Sequence, residues 1–189
     1  PIIEPILKKY GVPDDFKYLA VAESALTNAT SSAGAKGFWQ FMPATAKEYG
    51  MEVTDEVDER YHLIKSTEAA CQYLLKAKEK MGSWTLAAAS YNGGLAGVNR
   101  QITSQGETNY YDLLLTEETY RYVFRILALK EIMKNPLMYG YTYTEDELYN
   151  GIPTKKVEID SSITDLATFA KAQGINYKIL KIHNPWLRD

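Results

Sequence analysis

Apolar side chains recur every three to four residues through most of the first 134 positions, and this spacing limits the fold more than any other feature. It is typical of helices that bury one face. Proline or serine stands where several of these stretches begin, and glycine follows where several of them end. The expected helices span residues 2–10, 13–23, 43–50, 66–82, 84–91 and 116–134, with Ser66 as the N-cap of the fourth. Together they predict an all-α globular domain.

The pattern changes after residue 140. A stretch rich in tyrosine and threonine leads to Gly151-Ile152-Pro153, which is typical of a linker. Residues 155–159 then alternate polar and apolar side chains and predict a short strand, and residues 163–173 and 177–182 predict two short helices. The predicted organisation is an all-α domain over residues 1–140, a linker over 141–154 and a small α+β unit over 155–189.

Composition excludes several classes of protein. With 46% hydrophobic and 24% charged residues, the chain is expected to be globular rather than disordered. Its net charge is −3 and it has no basic run, so we expect no nucleic-acid partner. No apolar stretch approaches the roughly 20 residues that span a bilayer, so no transmembrane segment is expected. The start at Pro1 has no signal-peptide pattern, so any export signal has been removed or lies upstream.

Reactive side chains other than carboxylates are few. His62 and His183 are the two histidines, which predicts no metal site and no cofactor. Cys71 is the single cysteine, so no disulfide forms within the chain. A buried, unreactive Cys71 is the better interpretation, and a dyad of Cys71 with His62 is the weaker alternative.

Glu23 is the residue that fits its surroundings least. It continues an apolar stripe that includes Phe16 and Leu19, and every residue from 19 to 22 is apolar. A helix that is apolar all round is buried, so this carboxyl group should lie at the edge of a core. Burial and the negative end of the helix dipole both raise the pKa of a carboxyl group, which suits a general acid. From position alone, a plainer interpretation is favoured: Glu23 ends the helix and faces solvent or pairs with an arginine.

Three blocks of residues carry a more specific signal. The first block consists of Glu23, Ser24, Ser31, Gly34, Ala35, Gly37, Phe38, Trp39, Gln40, Phe41, Met42, Pro43, Thr45 and Ala46. The second consists of Ser90, Tyr91, Asn92, Gly93 and Gly94, and the third of Glu118, Thr119, Tyr122 and Val123. Shorter matches between them are Asp58, Arg60, Ser66, Thr67, Ala69, Ala70, Tyr73 and Leu74. In this order, the blocks resemble the lysozyme-like catalytic SLT domain of the lytic transglycosylases, closest to the membrane-bound type D branch.

The resemblance covers about residues 1–140, and no single block would be specific enough to carry it. It implies that Glu23 protonates the oxygen between N-acetylmuramic acid and N-acetylglucosamine, and then serves as base toward the C6 hydroxyl of the muramic acid. That hydroxyl attacks C1 and leaves a 1,6-anhydro end without consuming water. Glycosidases generally use two carboxylates, whereas the sequence after Glu23 offers none until Glu48.

The resemblance also implies the residues that surround the substrate. The substrate-binding set is Ser31, Gln40, Tyr91, Asn92 and Tyr122. Ser32 is the alternative to Ser31, while Glu118 supports the set by hydrogen bonding and Gly37 lets the loop bend beside a ligand. Three of these residues have a plainer alternative: Gln40 as a packing amide, and Tyr91 and Tyr122 as ordinary core aromatics.

The C-terminal residues 155–189 resemble part of a LysM peptidoglycan-binding motif. The matching residues are Ile163, Asp165, Leu166, Phe169, Ala170, Gly174, Ile175, Leu180, Asn184 and Pro185. The strand that closes a LysM unit has no counterpart after Pro185. Two interpretations therefore stay open: a partial LysM-like segment that binds glycan, and a docking or spacer element.

The sequence as a whole predicts a peptidoglycan lytic transglycosylase. The resemblance implies peptidoglycan glycan strands as partner and a place in the bacterial cell envelope, in the periplasm, with a lipid anchor upstream as one option. We expect a monomer. The alternatives are a catalytically idle peptidoglycan-binding scaffold and a hydrolytic muramidase of the goose-type lysozyme kind.

Overall fold

The structure, a computed structural model, describes residues 1–149 and 151–188. Its α-helices are α1 Ile3–Tyr10, α2 Lys17–Ser24, α3 Pro43–Glu48, α4 Leu63–Met81, α5 Trp84–Gly93, α6 Leu95–Gln105, α7 Glu117–Lys134, α8 Leu166–Ala172 and α9 Tyr177–His183. Short 3₁₀ turns occur at Asp14–Phe16, Glu59–Tyr61, Tyr110–Asp112, Pro136–Tyr139 and Glu145–Glu147. The mostly helical fold predicted from the sequence is confirmed. Asn150 of the predicted linker and Asp189 of the predicted C-terminal unit lie outside the described residues.

Helix α5 lies at the centre of the helical unit. It contacts α4, α6 and α7, while α4 also contacts α1 and α7 also contacts α2. All side chains from 86 to 90 in α5 are buried, and three of them are alanines. Because small side chains shorten the distance between helix axes, α4 and α7 approach α5 closely. This packing brings the last turn of α2 against α7, which positions the candidate site.

Helix α4 begins earlier than the sequence predicted. It starts at Leu63 rather than after Ser66, and His62 is its N-cap residue, with Nδ1 accepting from the backbone N–H of Lys65 at 3.4 Å. Ser66 is fully buried inside the helix, and its hydroxyl donates to the carbonyl of Leu63. The prediction of Ser66 as N-cap is therefore wrong. The imidazole of His62 caps the helix instead, and histidine is not among the residues that N-cap preferences favour.

The β part of the predicted C-terminal unit is not observed. Within residues 151–188 the structure contains no strand, only an isolated bridge at Leu187, and residues 155–159 are irregular. Val157 and Ile159 are 44% and 47% exposed. Alternating side chains specify a strand only where a neighbouring strand pairs with it and one face is buried. Neither condition is met here, whereas both predicted helices of this unit are present as α8 and α9.

The last described residues of the C-terminal segment contact the helical unit. Leu187 forms a bridge with Val57, and the Trp186 ring lies over the imidazole of His62 with 4.0 Å between centroids. In the described parts of the chain, no helix is long and apolar enough to cross a membrane.

Candidate active site

Glu23 lies in the last turn of α2, where the helix meets α7. Its side chain is half-buried, and the hydroxyl of Tyr122 donates a hydrogen bond to its Oε1. Helix α2 ends directly afterwards because Ala25 adopts a left-handed conformation with φ 51°. The plainer interpretation was a helix end that faces solvent or pairs with an arginine. The solvent-facing form does not describe this geometry, since an aromatic residue 99 positions away binds the carboxyl group, and Arg125 acts on it through its charge.

The surroundings of Glu23 raise its pKa. Burial is the main cause, and the negative charge of Glu118 acts in the same direction. The Tyr122 hydrogen bond and the positive charge of Arg125 oppose it without cancelling it. The net direction is the one expected from the sequence, and it favours a carboxyl group that carries a proton at higher pH than an ordinary glutamate.

Tyr122 and Tyr91 are the phenols beside this carboxyl group. Burial, followed by the charge of Glu23, raises the pKa of each well above the ordinary tyrosine value, so both remain neutral donors at physiological pH. Tyr122 is only 4% exposed, so its ring offers no open face to a sugar and its hydroxyl serves Glu23. Tyr91 donates instead to the backbone carbonyl of Trp39 at 2.8 Å.

Residues 34–41, here called the 34–41 loop, connect these groups. Ser24, which follows Glu23, donates its hydroxyl to the carbonyl of Phe38 at 2.9 Å, and Tyr91 holds the next carbonyl of the loop. The Trp39 side chain is fully buried, with its indole N–H donating to Thr67 Oγ1 at 2.8 Å. The loop backbone is thus fixed on both sides of the Glu23 region.

Gln40 and Gly37 give the loop its shape. Gln40 has a positive φ of 50°, and its Nε2 donates to the carbonyls of Ala29 and Gly37 at 3.1 and 2.9 Å. Its amide donors are therefore engaged with backbone, as the packing alternative for Gln40 described. Gly37 has φ 80°, and a Cβ there would lie 1.9 Å from the carbonyl oxygen of Arg60. Only glycine allows this approach.

Asn92 is held by the first turn of α7. Its Nδ2 donates to Glu118 Oε1 at 3.1 Å, and its Oδ1 accepts from the hydroxyl of Thr119 at 3.0 Å. These two bonds fix the orientation of the Asn92 amide at the end of α5. Ser31 accepts from the backbone N–H of Ala35 at 3.0 Å within its own turn, while the neighbouring Ser32 is exposed.

The structure thus brings Glu23, Tyr91 and Tyr122 together. Asn92 at the end of α5 and Glu118 at the start of α7 lie beside them. Sequence reasoning gave no role to Ser24, Thr119 or Arg125, although each contacts or influences this group. A signal for two of them was present. Thr119 and Arg125 lie three residues before and after Tyr122, a spacing that puts them on neighbouring turns of one helix.

Comparison with known proteins gives the family. Residues 1–114 match the transglycosylase SLT domain, and residues 155–189 match the C-terminal LysM-like domain of soluble lytic transglycosylases. The chain belongs to the SLT transglycosylase family. It is also 34% identical, over 185 residues, to the membrane-bound lytic murein transglycosylases D of Escherichia coli K12 and of Escherichia coli O6:H1.

The match to each of these two transglycosylases covers 94% of this chain and 40% of the relative. The chain therefore spans less than half the length of these two relatives. The similarity includes both the helical unit and the C-terminal segment.

Proposed function

We propose that this chain is a lytic transglycosylase that cleaves peptidoglycan glycan strands, with Glu23 acting first as general acid and then as general base. One observation carries the proposal. Glu23 is a half-buried carboxyl group with a raised pKa, hydrogen-bonded by Tyr122 at the meeting of α2 and α7, in a member of the SLT transglycosylase family.

The proposed reaction proceeds in two halves. The protonated Glu23 donates its proton to the glycosidic oxygen as the bond to C1 of N-acetylmuramic acid breaks, and N-acetylglucosamine leaves as an alcohol. The Glu23 carboxylate then takes the proton of the C6 hydroxyl while the C6 oxygen bonds to C1. The product has a 1,6-anhydro end, and Glu23 returns to its protonated form without consumption of water.

Tyr122 is suited to both halves of this reaction. Its neutral hydroxyl donates to Glu23 whether the carboxyl group is protonated or ionised, and the hydrogen bond is stronger to the ionised form. The C6 hydroxyl belongs to the substrate itself, and a well-oriented intramolecular nucleophile has an effective concentration on the order of 10⁵ M or more. A single carboxyl group is therefore sufficient if the sugar is held in place.

A hydrolytic muramidase would need a base for water, and Glu118 is the carboxylate whose charge acts on Glu23. Its Oε1, however, accepts the amide proton of Asn92. This bond supports a role for Glu118 in holding Asn92. We therefore favour the scheme in which Glu23 is the single catalytic carboxyl group. The N-acetyl group of the substrate then takes the part that a second carboxylate plays in most glycosidases.

The family and its relatives also support a location and a partner. The two relatives are named as membrane-bound murein transglycosylases. We accordingly propose the bacterial cell envelope as the place of action and peptidoglycan as the partner, with no cofactor required. The match of residues 155–189 to a LysM-like domain agrees with this partner.

The test is product analysis on purified peptidoglycan with Glu23→Gln. Glutamine keeps the size of the side chain but cannot donate and recover a proton. Because general acid–base catalysis contributes roughly 10²–10⁴-fold, formation of anhydro ends should fall by at least about 10² while folding and glycan binding are retained. Mass spectrometry detects the change, because an anhydro end is lighter by one water than a reducing end.

The matched control is Glu79→Gln, which replaces an exposed glutamate in the last turn of α4. Its turnover should equal that of the wild type. Reducing ends from the wild type would instead identify a hydrolytic muramidase, and binding without any product would identify an idle scaffold. Equal anhydro product from wild type and Glu23→Gln would remove Glu23 from the mechanism.

A further inference from the structure

The far end of the C-terminal segment is joined to the helical unit through backbone pairing with residues 56–58. The N–H of Asp58 donates to the carbonyl of Trp186, and the N–H of Arg188 donates to the carbonyl of Glu56, each at 2.8 Å. Together with the bridge between Val57 and Leu187, these bonds fix the position of the Arg188 backbone. Its side chain is therefore delivered to Asp58.

Asp58 receives cationic groups from three parts of the chain. Arg60 binds it through two nitrogens at 2.8 Å each, Arg188 contacts Oδ2 at 2.6 Å, and Lys36 lies 3.6 Å from the same oxygen. The Asp58 side chain is only 1% exposed. A buried carboxylate needs such partners to remain ionised, and it fixes their positions in return.

Arg60 extends from this cluster to both ends of the 34–41 loop. Its Nη1 donates to the carbonyl of Gly34 at 3.0 Å and to that of Phe41 at 3.2 Å. Its own carbonyl oxygen fills the space that a side chain at position 37 would occupy. The position of Arg60 thus decides where the ends and the middle of the loop lie.

The loop in turn contacts the Glu23 region directly. Its Phe38 carbonyl holds Ser24, the residue after Glu23, and its Trp39 carbonyl holds Tyr91. An unbroken series of direct contacts therefore runs from Arg188 through Asp58 and Arg60 to the loop. From the loop it continues to Ser24 and Tyr91. Such a series transmits an effect only if moving one member moves the next, which an experiment must show.

We propose that Arg188, in the C-terminal segment, is a positioning residue for the reaction at Glu23, acting through the Asp58–Arg60 pair on the 34–41 loop. This inference rests on the proposed function. Without Arg188, Asp58 Oδ2 keeps only Arg60 Nη2 and Lys36 as partners, and the Arg60 guanidinium moves toward that oxygen. Its two bonds to the loop ends then loosen, and the loop carbonyls that hold Ser24 and Tyr91 shift.

The experiment compares Arg188→Gln and Arg188→Lys with a control, Arg100→Gln, which removes an exposed arginine on α6. Turnover is measured on soluble, uncrosslinked glycan strands so that kcat and KM separate. Misplacement by about 1 Å can cost 10²-fold, and a smaller shift should lower kcat of Arg188→Gln about tenfold, with KM changed by less than about twofold. Arg188→Lys, which keeps the charge, should recover most of the lost kcat.

A second measurement does not depend on activity. Backbone amide resonances of Gly37, Phe38 and Trp39 should shift in Arg188→Gln and stay in place in Arg100→Gln, with melting temperatures recorded for all variants. Unchanged kcat in Arg188→Gln overturns the inference, as does a lowered kcat without any shift in the loop resonances. If the wild type forms no anhydro ends, the proposed function fails, while the amide shifts still decide whether Arg188 positions the loop.

Discussion

Around Glu23, a carboxyl group is half-buried among neutral tyrosines with a single arginine charge acting on it, whereas around Asp58 a fully buried carboxylate is bound by two arginines. Burial acts on both groups and by itself raises both pKa values. At Glu23 burial prevails and the pKa is raised. At Asp58 the hydrogen bonds and charges of Arg60 and Arg188 outweigh burial and lower the pKa to about 2.

The two environments suit these carboxyl groups to different roles. Asp58 stays ionised at any physiological pH, so it serves as a fixed anchor for cations and gives up no proton. Glu23 has a hydrogen-bonding partner that carries no charge, and its raised pKa keeps its proton to a higher pH than in an ordinary glutamate. Partners, more than depth of burial, separate the structural carboxylate of Asp58 from the one that we propose to be catalytic.

The largest effect is expected at the anchor. Asp58→Asn leaves the Arg60 guanidinium, only 3% exposed, without a counter-charge. Breaking a buried ion pair by removing one partner costs about 3–5 kcal/mol, so the free energy of unfolding should fall by about that amount at neutral pH. Urea-induced unfolding followed by circular dichroism measures it. Asp55→Asn, at an exposed position three residues away, should stay within about 0.5 kcal/mol of the wild type.

Asp58→Asn should also change how the free energy of unfolding depends on pH in acid. Because the folded pKa of Asp58 is about 2 and the ordinary value is about 3.9, the unfolded chain takes up this proton first on acidification. The stabilisation is complete above about pH 4 and is lost as the pH falls through about 2, an amount of about 2.5 kcal/mol. Asp58→Asn should lack that part of the acid dependence. An identical slope in both proteins would show that the pairs of Asp58 are not formed in solution.

The fold could be predicted from the sequence wherever a helix buries one regular face. Helices α1, α4, α5 and α7 follow their apolar spacing to within a few residues. Helix α6 was missed, since the Gly93-Gly94 break hides its start and Val98 is its only fully buried residue. The strand over residues 155–159 was predicted wrongly, because local alternation cannot reveal that no partner strand is present.

In the candidate site, too, the features set by local sequence could be predicted and the contacts between distant residues could not. Glu23 stood out because a carboxylate in an apolar run is a local conflict, and its raised pKa follows from that conflict. The resemblance gave Tyr122 as a substrate-binding residue, and its hydrogen bond to Glu23 was not predicted. The pairing of Asp58 with Arg188 left no signal, since the two residues are 130 positions apart and each is ordinary in its own surroundings.

A smaller effect of the opposite sign is expected at Glu23. Its folded pKa is raised, so the unfolded chain loses this proton first as the pH rises, and the stability present below the ordinary pKa of about 4.3 is lost as pH rises through the folded pKa. Glu23→Gln removes this loss. The variant should gain on the wild type as the pH increases from about 4 to about 8, measured by thermal unfolding.

Glu79→Gln gives the baseline for this comparison, as a glutamate replaced on an exposed helix end. If Glu23→Gln instead loses stability relative to the wild type as the pH rises, Glu23 is stabilised as an anion. Glu23 would then belong with Asp58 as a structural carboxylate, and the contrast between the two regions would disappear.

The smallest effect is expected at Glu118, which is less buried than either Glu23 or Asp58. It is exposed, and its role in the structure is to accept the Asn92 amide proton. Glu118→Gln keeps an acceptor oxygen for that bond, so the change in turnover should stay within about 0.5 kcal/mol, or about twofold. If Glu118 were the base of a hydrolytic enzyme, the same substitution would instead cost roughly 10²–10⁴-fold. Measured on glycan strands beside Glu23→Gln, a large loss at both positions would indicate a two-carboxylate hydrolase, whereas a loss at Glu23 alone leaves the intramolecular C6 hydroxyl as the nucleophile.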